Sequence, residues 1–165
     1  VGLFGTCDGS DWRDQFEIEY RRRGIPFFNP VRDDWENNAE RYMREEAAHL
    51  ANDQIVLFPI LSWSLGQGSL SEFGFGPLRA LLQNKHRSFV VLIDQELHPR
   101  LDDVDPDRRK DSLRSRKLVL SKIREYKLPN VYLVKNLAQM LGVSLRLYEA
   151  HQTLAEVEAV VADAG

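Results

Sequence analysis

Gln54-Ile55-Val56-Leu57-Phe58-Pro59-Ile60 is a stretch in which the only polar residue is the first. A short, continuously apolar run that stops at the polar, glycine-containing segment Ser62 to Ser69 reads as a strand covered on both faces. Such strands belong to parallel sheets with helices packed on each side. Working outward from it, Val1 to Gly5, Ile25 to Phe28, Ser88 to Ile93 and Val131 to Val134 are further short apolar runs. Helical patterns separate them. Trp12, Phe16 and Tyr20 recur at helical spacing before Gly24, and Trp35 to Leu50 offers Ala39, Tyr42, Met43 and Ala47 as inner positions. Leu70 to Asn84 is a third helix, its early turns weakened by Gly74, Gly76 and Pro77. Glu96 to Arg109 reads as a surface loop, and Asp111 to Tyr126 as a basic helix. Asn136 caps a short helix through Met140 that breaks at Gly142, and Ser144 to Ala162 is the last helix. The result is a βαβαβαβαβα pattern with a five-stranded parallel sheet, whose crossovers are expected to be right-handed.

The chain has 165 residues, enough for one hydrophobic core and short for two, and no linker or internal repeat divides it. A single domain over 1–165 is expected. With 43% hydrophobic residues it is not a disordered chain, and a net charge of −3 argues against a polyanion-binding surface over the whole molecule. The run Arg108, Arg109, Lys110, Arg114, Arg116 and Lys117 is offset by Asp102, Asp103, Asp105, Asp107 and Asp111. It reads as a solvated helix face, not a nucleic-acid site, because no aromatic residues interleave it. One cysteine, Cys7, excludes an internal disulfide and fits a reducing, cytoplasmic setting. No apolar run reaches the roughly 18 residues of a membrane span, and no signal segment is visible before the first strand.

Ligands of open α/β sheets bind beyond the carboxyl ends of the strands. Those ends carry Thr6, Cys7, Asp8 and Gly9, then Asn29 to Asp34, then Ser62 to Glu72, then Asp94 and Gln95. Gly66-Gln67-Gly68-Ser69 can offer backbone amides to an anion, but it lacks the Gly-Lys-Ser/Thr ending of a P-loop. No three-glycine dinucleotide fingerprint is present either. His49, His86, His98 and His151 are scattered without metal-ligand spacing, so no metal is expected. Ser69 and Glu72 admit two readings. Three apart, they form a capping box that closes the helix on itself. Alternatively Glu72 points into the crevice, kept ionised by the helix dipole and nearby amides, and is free to attack a sugar carbon. Cys7 reads as a small semi-buried residue and not as a nucleophile.

Taken in order, several pieces resemble a known family. They are the opening strand with Gly5, Trp12-Arg13, Phe28-Asn29-Pro30, Ala51-Asn52-Asp53, and above all Gly68-Ser69-Leu70-Ser71-Glu72. The last is similar to the Gly-Thr/Ser-x-x-Glu nucleophile segment of the nucleoside 2-deoxyribosyltransferase superfamily, in its nucleoside 2-deoxyribosyltransferase-like branch. The resemblance runs from Val1 to about Ile93. It implies a flavodoxin-like three-layer sandwich and a homo-oligomer, a dimer or larger, in which neighbouring subunits help to build each pocket. It implies cleavage of an N-glycosidic bond, or base exchange, on a nucleoside or nucleotide through a covalent glycosyl-enzyme on Glu72. No cofactor is implied. Asp53 is then expected to lie near the sugar or to orient the nucleophile, and Thr6, Asp8, Trp12, Asn29, Asp33, Gly68 and Ser69 to contact substrate. Trp12 and Phe28 are equally suited to stacking on a base and to the core. The chain departs from the family at Gly66, where the transferases usually carry an acid that assists base departure; Asp8, Asp33 or Asp34 are the replacements within reach in sequence. That gap leaves open hydrolysis in place of transfer, or a nucleotide-binding module without turnover. The face of the last helix bearing Leu147, Leu154 and Val161 is expected to cover either its own sheet or a partner subunit.

Overall fold

The computed structural model describes residues 1–7, 11–74 and 87–163. Its centre is a parallel four-stranded sheet of β1 (Gly2–Leu3), β2 (Ile55–Ile60), β3 (Ser88–Ile93) and β4 (Val131–Leu133), hydrogen-bonded in that order. Around it run α1 (Trp12–Arg23), α2 (Trp35–Asn52), α3 (67–74 among the described residues), α4 (Pro106–Tyr126) and α5 (Leu137–Asp163), with a short 3-10 turn at Pro99–Leu101.

Helices cover both faces of the sheet. All six residues of β2 and all six of β3 are buried. Their side chains alternate between two cores, as the two-residue period of a strand requires. Ile55, Leu57, Val90 and Leu92 join Trp12, Phe16 and Tyr20 of α1 and Met140 of α5. Val56, Phe58, Ile60, Phe89, Val91 and Ile93 join Phe28, Phe73 and Leu120, with Leu50 of α2 packed alongside. Tyr20 and Ser144 share a 2.5 Å hydrogen bond that ties α1 to α5 inside the first core.

Five expectations are corrected. The run at Ile25 to Phe28 is not a strand. Only Phe28 pairs with β1, as an isolated parallel bridge to Gly2, with the Leu3 amide donating to the Phe28 carbonyl at 2.9 Å and the Phe28 amide to the Val1 carbonyl at 2.8 Å. Beyond Phe28 the ladder would need an amide at Pro30, which has none, and the Leu3 carbonyl accepts from Arg13 instead. The sheet therefore has four strands and a one-residue fringe. Second, α4 begins at Pro106, because the Asp105 side chain accepts from the amides of Asp107 and Arg108 and Pro106 fits the first helical position. Third, Gly142 does not interrupt α5, which runs unbroken from Leu137 to Asp163, capped by Asn136 Oδ1 accepting from the Gln139 amide at 2.8 Å. Fourth, α2 is rotated from the expected face. Met43 is 53% exposed and Ala47 is exposed, while Tyr42, Glu46, His49 and Leu50 are half-buried. Of the third helix, 75–84 lies outside the described residues, and the helix starts at 67, not 70.

Among the described residues no helix is long and apolar enough to cross a membrane.

Candidate functional site

All the strands run parallel, so their carboxyl ends share one edge. From β1 the chain passes outward to Phe28 and then returns to the other side of β1 as β2. Loops that leave neighbouring strands in opposite directions open a crevice between them. Here the crevice lies beyond Leu3 and Ile60.

A buried arginine holds each rim. Arg13, 4% exposed, donates from Nε to the Leu3 carbonyl at 2.9 Å, from Nη1 to the Thr6 carbonyl at 2.9 Å and from Nη2 to Cys7 Sγ at 3.5 Å. Arg116 is fully buried. It donates from Nη1 to the carbonyls of Ile60 (2.9 Å) and Asp94 (3.1 Å), and from Nη2 to those of Leu61 (3.0 Å) and Ser64 (2.6 Å). The planar guanidinium suits this task, because its donors diverge and stay charged. Asp94 adds a 2.7 Å acceptor for the Ser62 amide, and Ser112 Oγ donates to the Leu65 carbonyl at 2.7 Å.

Gly5 lets the two rims approach. Its φ is +89°, and a Cβ there would fall 2.4 Å from the Pro59 carbonyl oxygen. Pro59 has no amide to offer on that side, which ends the β1–β2 ladder. Gly5→Ala is expected to destabilise the protein by about 1–3 kcal/mol through backbone strain alone, with the clash adding to it. Urea unfolding of the two proteins measures this, and an unchanged midpoint would refute the strained contact.

Between the rims lies a cavity of about 530 Å³. Glu46 of α2 and Glu72 of α3 both line it, beside Gly5, Cys7, Gly68 and Ser69. Burial pushes the Glu72 carboxyl above the ordinary carboxylate range, and the charge of Glu46 pushes it further. Burial also raises Glu46, opposed by the positive charge of Arg13. The expectation that the helix end keeps Glu72 ionised is thus reversed in direction. The capping box does not form either. Leu70 donates to the Gly66 carbonyl at 2.9 Å, so Ser69 already stands inside the helix and Glu72 is released to face the cavity. The remaining wall comes from Trp63, Arg100, Leu101, Val104 and Arg108. Trp63 also borders a second cavity of about 750 Å³ with Asp14, Asp94 and Lys135, which contains neither glutamate.

The cavity brings together Glu72, Gly68 and Ser69 of the residues singled out in the sequence. Among the described residues, Thr6, Trp12, Asn29, Asp33 and Asp53 do not line it. Thr6 is a brace: its amide donates to the Pro59 carbonyl at 2.8 Å and its Oγ1 accepts from the Leu61 amide at 2.9 Å. Trp12, 2% exposed, donates to the Thr6 carbonyl and meets Phe16 edge-on. Phe28 stacks on His49 at 3.8 Å. Asn29 donates to Glu17 Oε1 at 2.6 Å and turns the chain by accepting from the Val31 amide. Asp33 and Asp34 are exposed, with Asp34 accepting from Tyr42. Asp53 caps α2 just before β2, at the opposite edge of the sheet, where Oδ1 pairs with His49 Nδ1 at 2.9 Å. Asp8 lies outside the described residues. Sequence reasoning missed Glu46, Arg13 and Arg116. Glu46 carried a weak signal, its spacing of three from the inward His49, but it sits in a charged run.

Among the described residues no group of three or more His, Cys, Asp or Glu is placed to hold a metal ion. Comparison with protein-family models, with curated proteins and with solved structures finds no match to this chain.

Proposed function

We propose that the protein cleaves the N-glycosidic bond of a nucleoside or nucleotide, on a flavodoxin-like sheet, through a covalent sugar-enzyme ester on Glu72. The observation that carries this reading is the pair of half-buried carboxyls, Glu46 and Glu72, lining one cavity at the carboxyl edge, where the charge of Glu46 and burial both hold Glu72 above the ordinary carboxylate range. Burial raises both carboxyls, and one of them held protonated can donate to a leaving base while the other, ionised, attacks. One member then serves as base or nucleophile and the other as acid. Glu46 fills the role left open at Gly66.

In the first step a Glu72 oxygen bonds to the anomeric carbon as the carbon–nitrogen bond breaks. The bonding pair goes to the base, which takes the proton of the Glu46 carboxyl. In the second step water or another base attacks the same carbon, the ester bond returns its pair to Glu72, and Glu46 recovers a proton from the attacking group. Two displacements retain configuration. The resemblance of Gly68 to Glu72 to the family's nucleophile segment assigns the roles in this order. One observation favours the reverse order: Arg13 stabilises an ionised Glu46, while burial and the charge of Glu46 both disfavour an ionised Glu72. A homo-oligomeric assembly belongs to the same proposal, and sedimentation at several concentrations tests it.

Exposure to a panel of 2′-fluoro nucleosides and nucleotides, followed by intact-protein mass spectrometry and peptide mapping, tests the chemistry. An adduct on Glu72 is expected. An adduct on Glu46 exchanges the two roles. No adduct and no released base across the panel removes the enzymatic reading and leaves a binding module.

A further inference from the structure

The same cavity also carries cationic groups. Arg100, in the 3-10 turn after β3, and Arg108, in the first turn of α4, both line the same cavity. Both are exposed. Among the described residues neither has a carboxylate within salt-bridge distance, whereas the adjacent Arg109 pairs with Asp102 at 2.7 Å. Asp105 and Asp107 already complement the dipole at this helix end, which leaves the Arg108 side chain free to face the cavity. Arg100 is oriented: its guanidinium lies 5.6 Å from the centre of the Trp63 ring, and Trp63 stacks on His98 at 3.7 Å. The third contribution is backbone. Gln67, Gly68 and Ser69 open α3 and line the cavity, and the space around Gly68 is empty to 4 Å where a Cβ would stand. Their amides belong to the first turn, which has no intrahelical acceptors.

We infer that these groups hold a phosphate monoester on the sugar, so that the substrate is a nucleoside monophosphate and not a free nucleoside. The inference rests on the chemistry proposed above but concerns other residues of the cavity. The arginines offset the repulsion that two carboxyls would exert on a dianion, and their paired donors match phosphate oxygens. The sugar then lies between the phosphate and the carboxyls, with its anomeric carbon toward the glutamates.

The test compares base release from 2′-deoxynucleosides and their 5′- and 3′-monophosphates, by the wild type, Arg100→Gln, Arg108→Gln, the double variant, and Arg114→Gln as a control on the far face of α4. Calorimetric binding of the same compounds runs in parallel. One phosphate position is expected to be preferred. Each single substitution should lower kcat/KM for that nucleotide about tenfold to a hundredfold, leaving nucleosides and the Arg114→Gln protein unchanged. Nucleosides cleaved as well as nucleotides, or nucleotide turnover indifferent to both arginines, would overturn the phosphate site while the glutamate chemistry stands. Binding of monophosphates that depends on Arg100 and Arg108 without base release would establish the phosphate site and remove the chemistry. Neither binding nor release removes both.

Discussion

Glu72→Gln is expected to lower base release by about a thousandfold or more while raising the melting temperature. The first half follows from the role of the side chain. An amide cannot form the ester, and loss of a covalent nucleophile leaves only what binding and positioning supply. The second half follows from the carboxyl's surroundings. Its folded pKa lies above the ordinary value because burial and Glu46 both disfavour the anion. Below both pKa values the carboxyl is neutral in the folded and unfolded chains and has no net effect. As the pH rises past the unfolded value, about 4.3, the unfolded chain ionises first and gains stability relative to the fold. The penalty is complete once the pH exceeds the raised folded value. Wild type should therefore lose stability across that window, and Glu72→Gln should lose less of it. Base-release assays at neutral pH and thermal melts at pH 4 and pH 8 measure the two halves. Undiminished activity would take Glu72 out of the chemistry. Lost activity with a lowered melting temperature at pH 8 would make its role structural.

Arg116→Met should cost about 3–5 kcal/mol, the largest loss we expect from a single substitution in this chain. The methionine fills much of the space, so the loss comes from acceptors and not from a void. The carbonyls of Leu61, Ser64 and Asp94 lose their guanidinium donors together, and that of Ile60 keeps only the Asp94 amide. For a chain of this length that corresponds to a melting-temperature drop on the order of 10 °C. Arg116→Lys should recover little, because one ammonium point cannot serve acceptors arranged around a planar fork. Differential scanning calorimetry of the three proteins measures this. Near-wild-type stability of Arg116→Met would show that the carbonyls find other partners. Because Ser64 and Gly66 border the cavity, the substitution should also weaken ligand binding.

The sheet was legible because β2 and β3 are buried on both faces and therefore read as unbroken apolar runs. Ser88 to Ile93 matches β3 residue for residue. The segment at Ile25 to Phe28 misled for a local reason: apolar composition suggested a ladder, but Pro30 offers no amide to carry it past Phe28 at the sheet's fringe. Gly142 misled in the opposite sense, since tertiary packing of α5 overrides the weak preference of one glycine. In the site, Glu72 stood out because it sits in an ordered motif after β2. Glu46 did not, because reading α2 by apolar periodicity selects Met43 and Ala47, and a helix that turns a carboxyl toward a cavity breaks that pattern. Arg13 and Arg116 were hidden by composition. Charged residues on amphipathic helices are normally solvent-facing, and nothing in their spacing reveals that each is folded inward onto carbonyl oxygens.

Those inward guanidinium groups grip main-chain oxygens, and that has an evolutionary corollary. A fastening made to the backbone is indifferent to most of the side chains along it. Cys7, Trp63 and Leu65 border the cavity, and none of the bonds from Arg13 or Arg116 to a carbonyl depends on what those residues are. Diversification at these positions is therefore uncoupled from collapse of the frame, so descendants of this chain have room to retune what they accept without rebuilding the edge that presents it.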